Sequence, residues 1–155
     1  MQKVTTFLWY AEGVEEAAEL YTSLIPDSRI LNVQRFGEGM PDGLVVVQFT
    51  LGGVEYQAMN GGPAANFTEA ISLSVICDDQ AEVDRLWDAL TADGGEESQC
   101  GWLKDRWGVS WQIVPRRLLE LQADPDPVRA NRANQAMLTM RKLDIAALEA
   151  AADGR

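Results

Sequence analysis

The feature that most constrains this chain is an internal repeat, because a duplicated pattern limits the fold to paired copies of one unit. Residues 6–24 align with residues 72–90, and both stretches pass from a β-like run through a polar break into an amphipathic helix. A second repeated segment follows, since residues 53–57 (GVEYQ) recur as residues 108–112 (GVSWQ). Two repeated segments in the same order predict that the two halves of the chain arose by duplication of one unit.

Each half is predicted to fold as a β-α-β-β-β module. In the first half, a Gly- and Pro-rich turn at 37–43 separates two strands, and Gly52-Gly53 makes a tight turn into the last strand. The predicted elements after the first strand and helix are strands 29–36, 44–51 and 54–60. In the second half they are strand 70–77, helix 79–92, short strands 97–101 and 102–104, and strand 109–114. The predicted class is α+β, with paired β-α-β-β-β modules.

The composition changes after Pro115, where helix signals replace strand signals. A short helix is predicted at 116–122, Asp126 caps a second helix that begins with Pro127, and Asp144 caps a third that ends near Gly154. We therefore divide the chain into a domain at 1–115, with modules at about 2–62 and 68–115, and a helical C-terminal extension at 116–155.

An apolar stripe follows the extension at helical spacing. Its members are Ala130, Ala133, Met137 and Met140. Such a stripe either covers a core or forms the seam of a homodimer, and we expect a homodimer because the edges of curved sheets must also be covered. The sequence leaves open whether the modules pair within one chain or between chains.

The titratable residues exclude several classes of function. The 155 residues contain no histidine, which excludes triads that use it as base and two-histidine metal sites. A net charge of −11 disfavours nucleic acid and anionic membrane surfaces as partners. Cys77 and Cys100 have no CxxC spacing, so neither a zinc site nor a redox pair is predicted. The N-terminus resembles neither a signal peptide nor a membrane span, and we therefore expect a cytoplasmic protein.

Eight short motifs carry a resemblance to a known family. They are residues 8–10 (LWY), 15–21 (EEAAELY), 59–63 (MNGGP), 77–80 (CDDQ), 99–105 (QCGWLKD), 107–115 (WGVSWQIVP), 135–140 (QAMLTM) and 142–144 (KLD). With the paired modules, they resemble the PhnB-like subfamily of the vicinal oxygen chelate superfamily, which includes glyoxalase, bleomycin-resistance and extradiol-dioxygenase proteins. The subfamily is often labelled as demethylubiquinone methyltransferase-type.

The resemblance implies a cup formed by two modules, in which chelating members hold a metal through a His or similar ligand on each first strand and a Glu on each last strand. Aligned at the strand–helix boundaries, these positions are Thr6 and Ser72 on the first strands and Gln57 and Gln112 on the last. Hydroxyls and neutral amides supply neither imidazole nor negative charge. We therefore predict no cofactor and no bound divalent metal.

Successive side chains of a strand point to opposite faces, and this alternation predicts which of them line the cup. These are Thr6, Leu8, Tyr10, Gln57 and Met59 in the first module, and Ser72, Ser74, Trp102 and Gln112 in the second, with Ser110 on the same face as Gln112. A lining of this mixture favours a small, partly polar organic ligand. A structural alternative is that Gln57 and Gln112 satisfy one another across a pseudo-twofold core.

The function predicted from the sequence is a PhnB-like small-molecule-binding protein without a standard metal site. The alternative is an enzyme: either the methyltransferase of the family label, or a lyase or isomerase that uses Glu55 as general base, since alternation places Glu55 with Gln57. A methyltransferase of the usual kind needs a Gly-rich turn from a strand into a helix to hold its methyl donor. Residues 60–63 (NGGP) follow a strand but are predicted to link the two modules, so they do not support the label.

Overall fold

The chain divides into two compact units in the computed structural model, Met1–Asn66 and Phe67–Arg155. The structure describes residues 2–63 and 66–155. Met1, at the start of the predicted first domain, and residues 64 and 65, in the predicted link between modules, lie outside the described residues.

The first unit has the predicted β-α-β-β-β order. Its elements are β1 (Thr6–Tyr10), α1 (Val14–Leu24), β2 (Arg29–Arg35), β3 (Val45–Leu51) and β4 (Val54–Asn60). The sheet order is β1-β4-β3-β2, in which β1 runs parallel to β4 and the other neighbours are antiparallel. The first and last strands of the module are therefore side by side.

The second unit repeats this topology and adds the helical extension. Its elements are β5 (Ser72–Cys77), α2 (Gln80–Thr91), a 3₁₀ turn (Ala92–Gly94), β6 (Glu96–Glu97), β7 (Trp102–Lys104), β8 (Ser110–Pro115), α3 (Arg116–Gln122), α4 (Pro127–Met137) and α5 (Ile145–Ala152). The sheet order is β5-β8-β7-β6, again with the first and last strands parallel. The α+β class, the paired modules and the C-terminal helices are confirmed.

The predicted strand at 97–101 is wrong beyond its first residue. Cys100 and Gly101 have φ values of 59° and 84°, which a strand cannot accommodate. Their backbone N–H groups donate instead to the carbonyls of Met140 and Arg141, both at 2.8 Å. The extension therefore takes over the donors that a longer strand would have used.

Each sheet packs its own helix against one face. In the first unit β3 alternates strictly between buried and half-buried residues, and Val47 and Phe49 lie fully buried with Ala17 and Tyr21 of α1. In the second unit Val83, Leu86, Trp87 and Leu90 of α2 are buried, as are Leu103, Trp111 and Ile113 of the sheet. Burial raises the pKa of the Cys77 thiol to about 12, so this cysteine is a core residue and not a nucleophile.

The extension forms a core of its own that is continuous with β8. The buried cluster contains Leu118, Leu121, Ala133, Leu143, Leu148 and Ala152, with Val114, Ala136, Met137 and Met140 packed against it. Gln80 of α2 ties the cluster to the module, because its side chain donates to the Leu143 carbonyl and accepts from the Ile145 amide. Ala133, Met137 and Met140 of the apolar stripe therefore pack in this core.

No helix within the described ranges is long and apolar enough to cross a membrane.

The packing of Met140 generates the first testable prediction. Met140→Glu places a carboxylate against the apolar cluster of the extension, and we expect the free energy of unfolding to fall by about 2–3 kcal/mol. Leu138→Glu is the matched control, because Leu138 is 56% exposed. Thermal unfolding followed by circular dichroism measures both variants. If Met140→Glu instead kept its stability and changed the sedimenting mass, the stripe would be a seam between chains.

Candidate functional site

The face of each sheet that lies opposite its helix carries most of the candidate site residues. In the first unit the parallel register pairs Phe7 with Gln57 and Trp9 with Met59. Paired residues project to the same face, so these four side chains share the face away from α1. Phe7 and Trp9 are 48% and 39% exposed. Aromatic rings, a thioether and an amide therefore form this open face.

The predicted grouping of Leu8 and Tyr10 with Gln57 is wrong about the face. Both residues are buried against α1, and the Tyr10 hydroxyl donates to the Tyr21 hydroxyl at 3.0 Å. Thr6, exposed at the start of β1, alternates with them and pairs with Tyr56 instead of Gln57. These three residues therefore do not join Gln57 and Met59.

A single extra residue explains the error. Three residues, 11–13, join β1 to α1, whereas two, 78 and 79, join β5 to α2. The helices therefore align at the offset of 66 residues that relates 6–24 to 72–90. The strands align at an offset of 67, so that Phe7 is the counterpart of Ser74. Gly13, with φ of 76°, accommodates the longer connection. A shift of one residue moves a strand's side chains to the opposite face.

In the second unit the predicted residues do come together. Ser72 and Ser74 of β5 are paired with Ser110 and Gln112 of β8, and Gln112 is paired with Trp102 of β7. All five side chains project from the face opposite α2. The Gln112 side-chain amide donates to the Ser72 hydroxyl at 2.9 Å. This bond connects the first and last strands of the module across the open face.

A cavity of about 430 Å³ lies beside these residues. Its lining consists of Glu69, Ser98, Gln99, Cys100, Trp102, Leu103, Lys104 and Ser110. Ser110 is 1% exposed, and its hydroxyl has no hydrogen-bond partner within the described part of the chain. A buried hydroxyl without a partner costs about 1–3 kcal/mol. Alternation predicted the face of Ser110 but could not predict this missing bond.

An ion pair borders the same cavity and was not predicted. The Lys104 ammonium lies 2.7 Å from a Glu69 carboxylate oxygen, with both side chains partly exposed. The hydrogen bond to Lys104 lowers the pKa of Glu69, and the same bond raises the pKa of Lys104. Both groups are therefore charged at neutral pH, and a ligand at this rim meets a dipole instead of a net charge.

A buried carboxylate holds the strand that carries Ser110 and Gln112. Asp105, 3% exposed, accepts from the backbone N–H groups of Trp107 and Val109 and from the Trp111 indole, each at 3.0 Å. Three donors satisfy one carboxyl group and close the turn between β7 and β8. The lining of the cavity is positioned by this turn.

The first unit contains a second cavity, of about 480 Å³, at the ends of β1 and β4. The Trp9 indole N–H donates to the Gly62 carbonyl at 3.3 Å, and a Cβ at Gly61 would overlap the indole ring. Asn60 accepts from the backbone N–H of Val14 and so satisfies a donor at the start of α1. The NGG motif thus holds the Trp9 indole and the start of α1, and these contacts account for its residues without a bound nucleotide.

Glu55 lies on the open face of the first unit, in alternation with Gln57 and Met59. Its carboxylate accepts from the backbone N–H of Gln2 at 3.3 Å. Glu55 lines neither of the two cavities described above.

The residues at the chelating positions do not fit a divalent metal. Thr6 projects from the face opposite that of Gln57, and Ser72 is a neutral hydroxyl that accepts from Gln112. The residues directly beside the two glutamines in the strand register are Phe7, which has no donor atom, and Ser74. Gln112 already uses its amide N–H on Ser72. Within residues 2–63 and 66–155, no group of three or more Cys, Asp or Glu side chains is arranged to hold a metal. This donor set lacks the charge and the imidazole nitrogen that a catalytic divalent metal requires.

Comparison with known proteins places these observations in a family. Residues 2–114 match the family model of 3-demethylubiquinone-9 3-methyltransferase. A PhnB protein from Bacillus cereus with the same methyltransferase description is 34% identical, and the match covers 74% of this chain and 99% of that chain with a TM-score of 0.67. No match is found among curated proteins.

Two more distant structures are similar in fold. The fosfomycin resistance protein FosX of Mesorhizobium loti is 14% identical, with 74% of this chain and 92% of that chain covered and a TM-score of 0.51. The trypanothione-dependent glyoxalase I of Leishmania major is 14% identical, with 81% and 94% covered and a TM-score of 0.52. At this identity the likeness concerns the fold alone.

The contact between Gly61 and Trp9 generates the second testable prediction. Gly61→Ala inserts a methyl group where the indole lies, so we expect the ring to move and the free energy of unfolding to fall by about 1 kcal/mol. The indole N–H signal of Trp9 in a nitrogen–proton correlation spectrum, assigned with Trp9→Phe, reports the movement. Gly37→Ala is the control, because a Cβ there meets nothing within 4 Å. An unmoved Trp9 signal in Gly61→Ala would contradict the contact.

Proposed function

Because this chain belongs to the 3-demethylubiquinone-9 3-methyltransferase family, the PhnB-like group of the vicinal oxygen chelate superfamily, we propose that it binds a small organic molecule without a metal. The proposed site is the open face of the second sheet and the cavity beside it. Trp102, Gln112, Ser72 and Ser74 belong to this face.

The observation that carries the proposal is the buried hydroxyl of Ser110. It lines the cavity and has no partner in the described residues, so the folded protein bears the cost of a missing hydrogen bond. Because this oxygen is covered, a ligand reaches it only when the Ser110 side chain turns towards the cavity. A hydrogen bond formed there would remove that cost. The unsatisfied group is therefore a feature that favours a bound state.

The other lining residues indicate the chemistry of the ligand. Trp102 offers an aromatic surface, while Ser98 and Gln99 offer a hydroxyl and an amide at the rim. The Lys104–Glu69 pair presents both signs of charge. This combination suits an uncharged or zwitterionic molecule with one apolar side and a few hydrogen-bonding groups.

The two enzyme alternatives have less support. The methyltransferase of the family name needs a site for a methyl donor, and the NGG motif after β4 is occupied with Trp9 and α1. A lyase or isomerase with Glu55 as base needs a substrate beside that carboxylate, and Glu55 lies outside both cavities. Neither alternative has an observation comparable to the unpartnered hydroxyl.

We also propose a homodimer in the cytoplasm. The edge strand β1 carries Phe7 with 48% exposure, and Ile71, just before the edge strand β5, is 69% exposed, so apolar surface is available beside unpaired edges. Two free cysteines are typical of a reducing compartment. Sedimentation as a monomer at high micromolar concentration would contradict the dimer.

The binding proposal is tested with Ser110→Ala. Removing the unsatisfied hydroxyl should leave stability unchanged or raise it by up to about 1 kcal/mol, while the occupancy of a copurifying small molecule falls about tenfold. Native mass spectrometry of freshly purified protein measures occupancy, and thermal unfolding measures stability.

Ser74→Ala and Ser72→Ala are the matched controls. Ser74 is exposed on the same face outside the cavity, so its replacement should leave stability unchanged and lower occupancy much less than Ser110→Ala does. Ser72 accepts from Gln112, so its replacement should lower stability. The absence of any copurifying molecule, or a loss of stability in Ser110→Ala, would contradict the proposal.

The absence of a catalytic metal is a separate expectation. Elemental analysis after dialysis should find no stoichiometric transition metal, because Thr6, Gln57, Ser72 and Gln112 offer no charged ligand. A retained metal that is lost in both Gln57→Ala and Gln112→Ala would show that neutral side chains suffice to chelate it.

A further inference from the structure

We propose that the first unit carries a second binding site, which takes an organic cation with an alkylated ammonium group. The site is the cavity between the loop at 37–43 and the ends of β1 and β4. It lies in a different unit from the site proposed above and does not depend on it.

The cavity has a soft, largely apolar lining. Its volume is about 480 Å³, and the larger apolar residues that line it are Trp9, Met40, Pro41, Leu44 and Met59. An indole ring and two polarizable thioethers are good neighbours for an alkylated cation, whose charge is spread over carbon. They are poor partners for an anion.

The aromatic ring is already oriented. The Trp9 indole N–H is bonded to the Gly62 carbonyl, and the absence of a side chain at Gly61 lets the backbone lie against the ring. Trp9 nevertheless remains 39% exposed. Because the ring need not be ordered on binding, less conformational entropy is lost.

Two carboxylates complete the lining. Glu12, in the connection between β1 and α1, and Asp42, in the loop, both line the cavity, whereas no Lys or Arg does. The lining thus holds two negative charges and no positive one. Attraction by these charges adds to the interaction between a cation and the indole face.

The same lining argues against a metal ion. Calcium requires about six to eight oxygen ligands at short distances, and two carboxylates on separate loops fall short of that number. Magnesium completes its shell with water, so it would leave the apolar lining unused. The indole and the thioethers cannot replace the missing oxygens. An organic cation needs no such shell, so it is the cationic class that fits.

The loop that closes the cavity is held by its own backbone. The N–H of Met40 donates to the Gly37 carbonyl and that of Leu44 to the Pro41 carbonyl, both at 3.2 Å, and the N–H of Phe36 donates to Leu44 at the base of the loop. Two turns in succession bring Met40 and Asp42 towards β1 and β4. The cavity therefore exists without a ligand.

The experiment is a titration with choline, monitored through the indole N–H signal of Trp9 at constant ionic strength. Choline should shift this signal saturably. Its neutral isostere, in which carbon replaces the ammonium nitrogen, should bind at least about tenfold more weakly. The double variant Glu12→Gln/Asp42→Asn should weaken choline binding by about tenfold or more.

The double variant Glu16→Gln/Glu19→Gln is the matched control. It changes the net charge equally, on exposed residues of α1 that do not line the cavity, and choline affinity should stay within about twofold. Thermal unfolding verifies that each variant is folded. Equal binding of choline and the isostere, equal loss in the two double variants, or no shift of the Trp9 signal would each overturn the proposal.

Discussion

The parallel pairing of the first and last strands of each module is the interaction on which the rest of the structure depends. It brings together residues that are 50 positions apart in the first unit, such as Phe7 and Gln57, and 38 apart in the second, such as Ser74 and Gln112. Its register decides which side chains pack on the helix and which project from the open face. Site chemistry and core packing are thus set by the same pairing.

Polar side chains keep this pairing in place at the turns. Asp105, which is buried, accepts from three donors under the turn before β8, and the half-buried Asn60 at the end of β4 satisfies a donor at the start of α1. Each of these residues connects elements that are distant in sequence or closes a tight turn. Removal of the Asp105 carboxylate would leave buried donors unsatisfied, which costs more than the bonds themselves contribute. Rigid turns therefore hold both cavities in shape.

The open faces of the two sheets carry hydrogen-bonding and aromatic side chains. The positions that the resemblance implies for metal ligands, Thr6, Ser72, Gln57 and Gln112, carry two hydroxyls and two neutral amides. The second unit provides hydroxyls, an amide and an indole around a buried, unsatisfied oxygen. The first provides an indole, thioethers and two carboxylates. These linings differ in polarity and charge, so the two proposed sites favour different ligands.

Local pattern and tertiary structure decided different properties of this protein. The repeat, the element order, the helix caps at Asp126 and Asp144 and most strand limits were readable, because they depend on period, turn residues and capping within a few positions. The placement of Ser72, Ser74, Trp102 and Gln112 on one face also followed from alternation. The face of Leu8 and Tyr10 did not, because one extra residue before α1 changes the register and only the pairing with β4 reveals it. Three further features depend on contacts between distant segments, which no local pattern encodes. They are the bonds from Cys100 and Gly101 to the extension, the Lys104–Glu69 ion pair, and the Ser110 hydroxyl without a partner in the described residues.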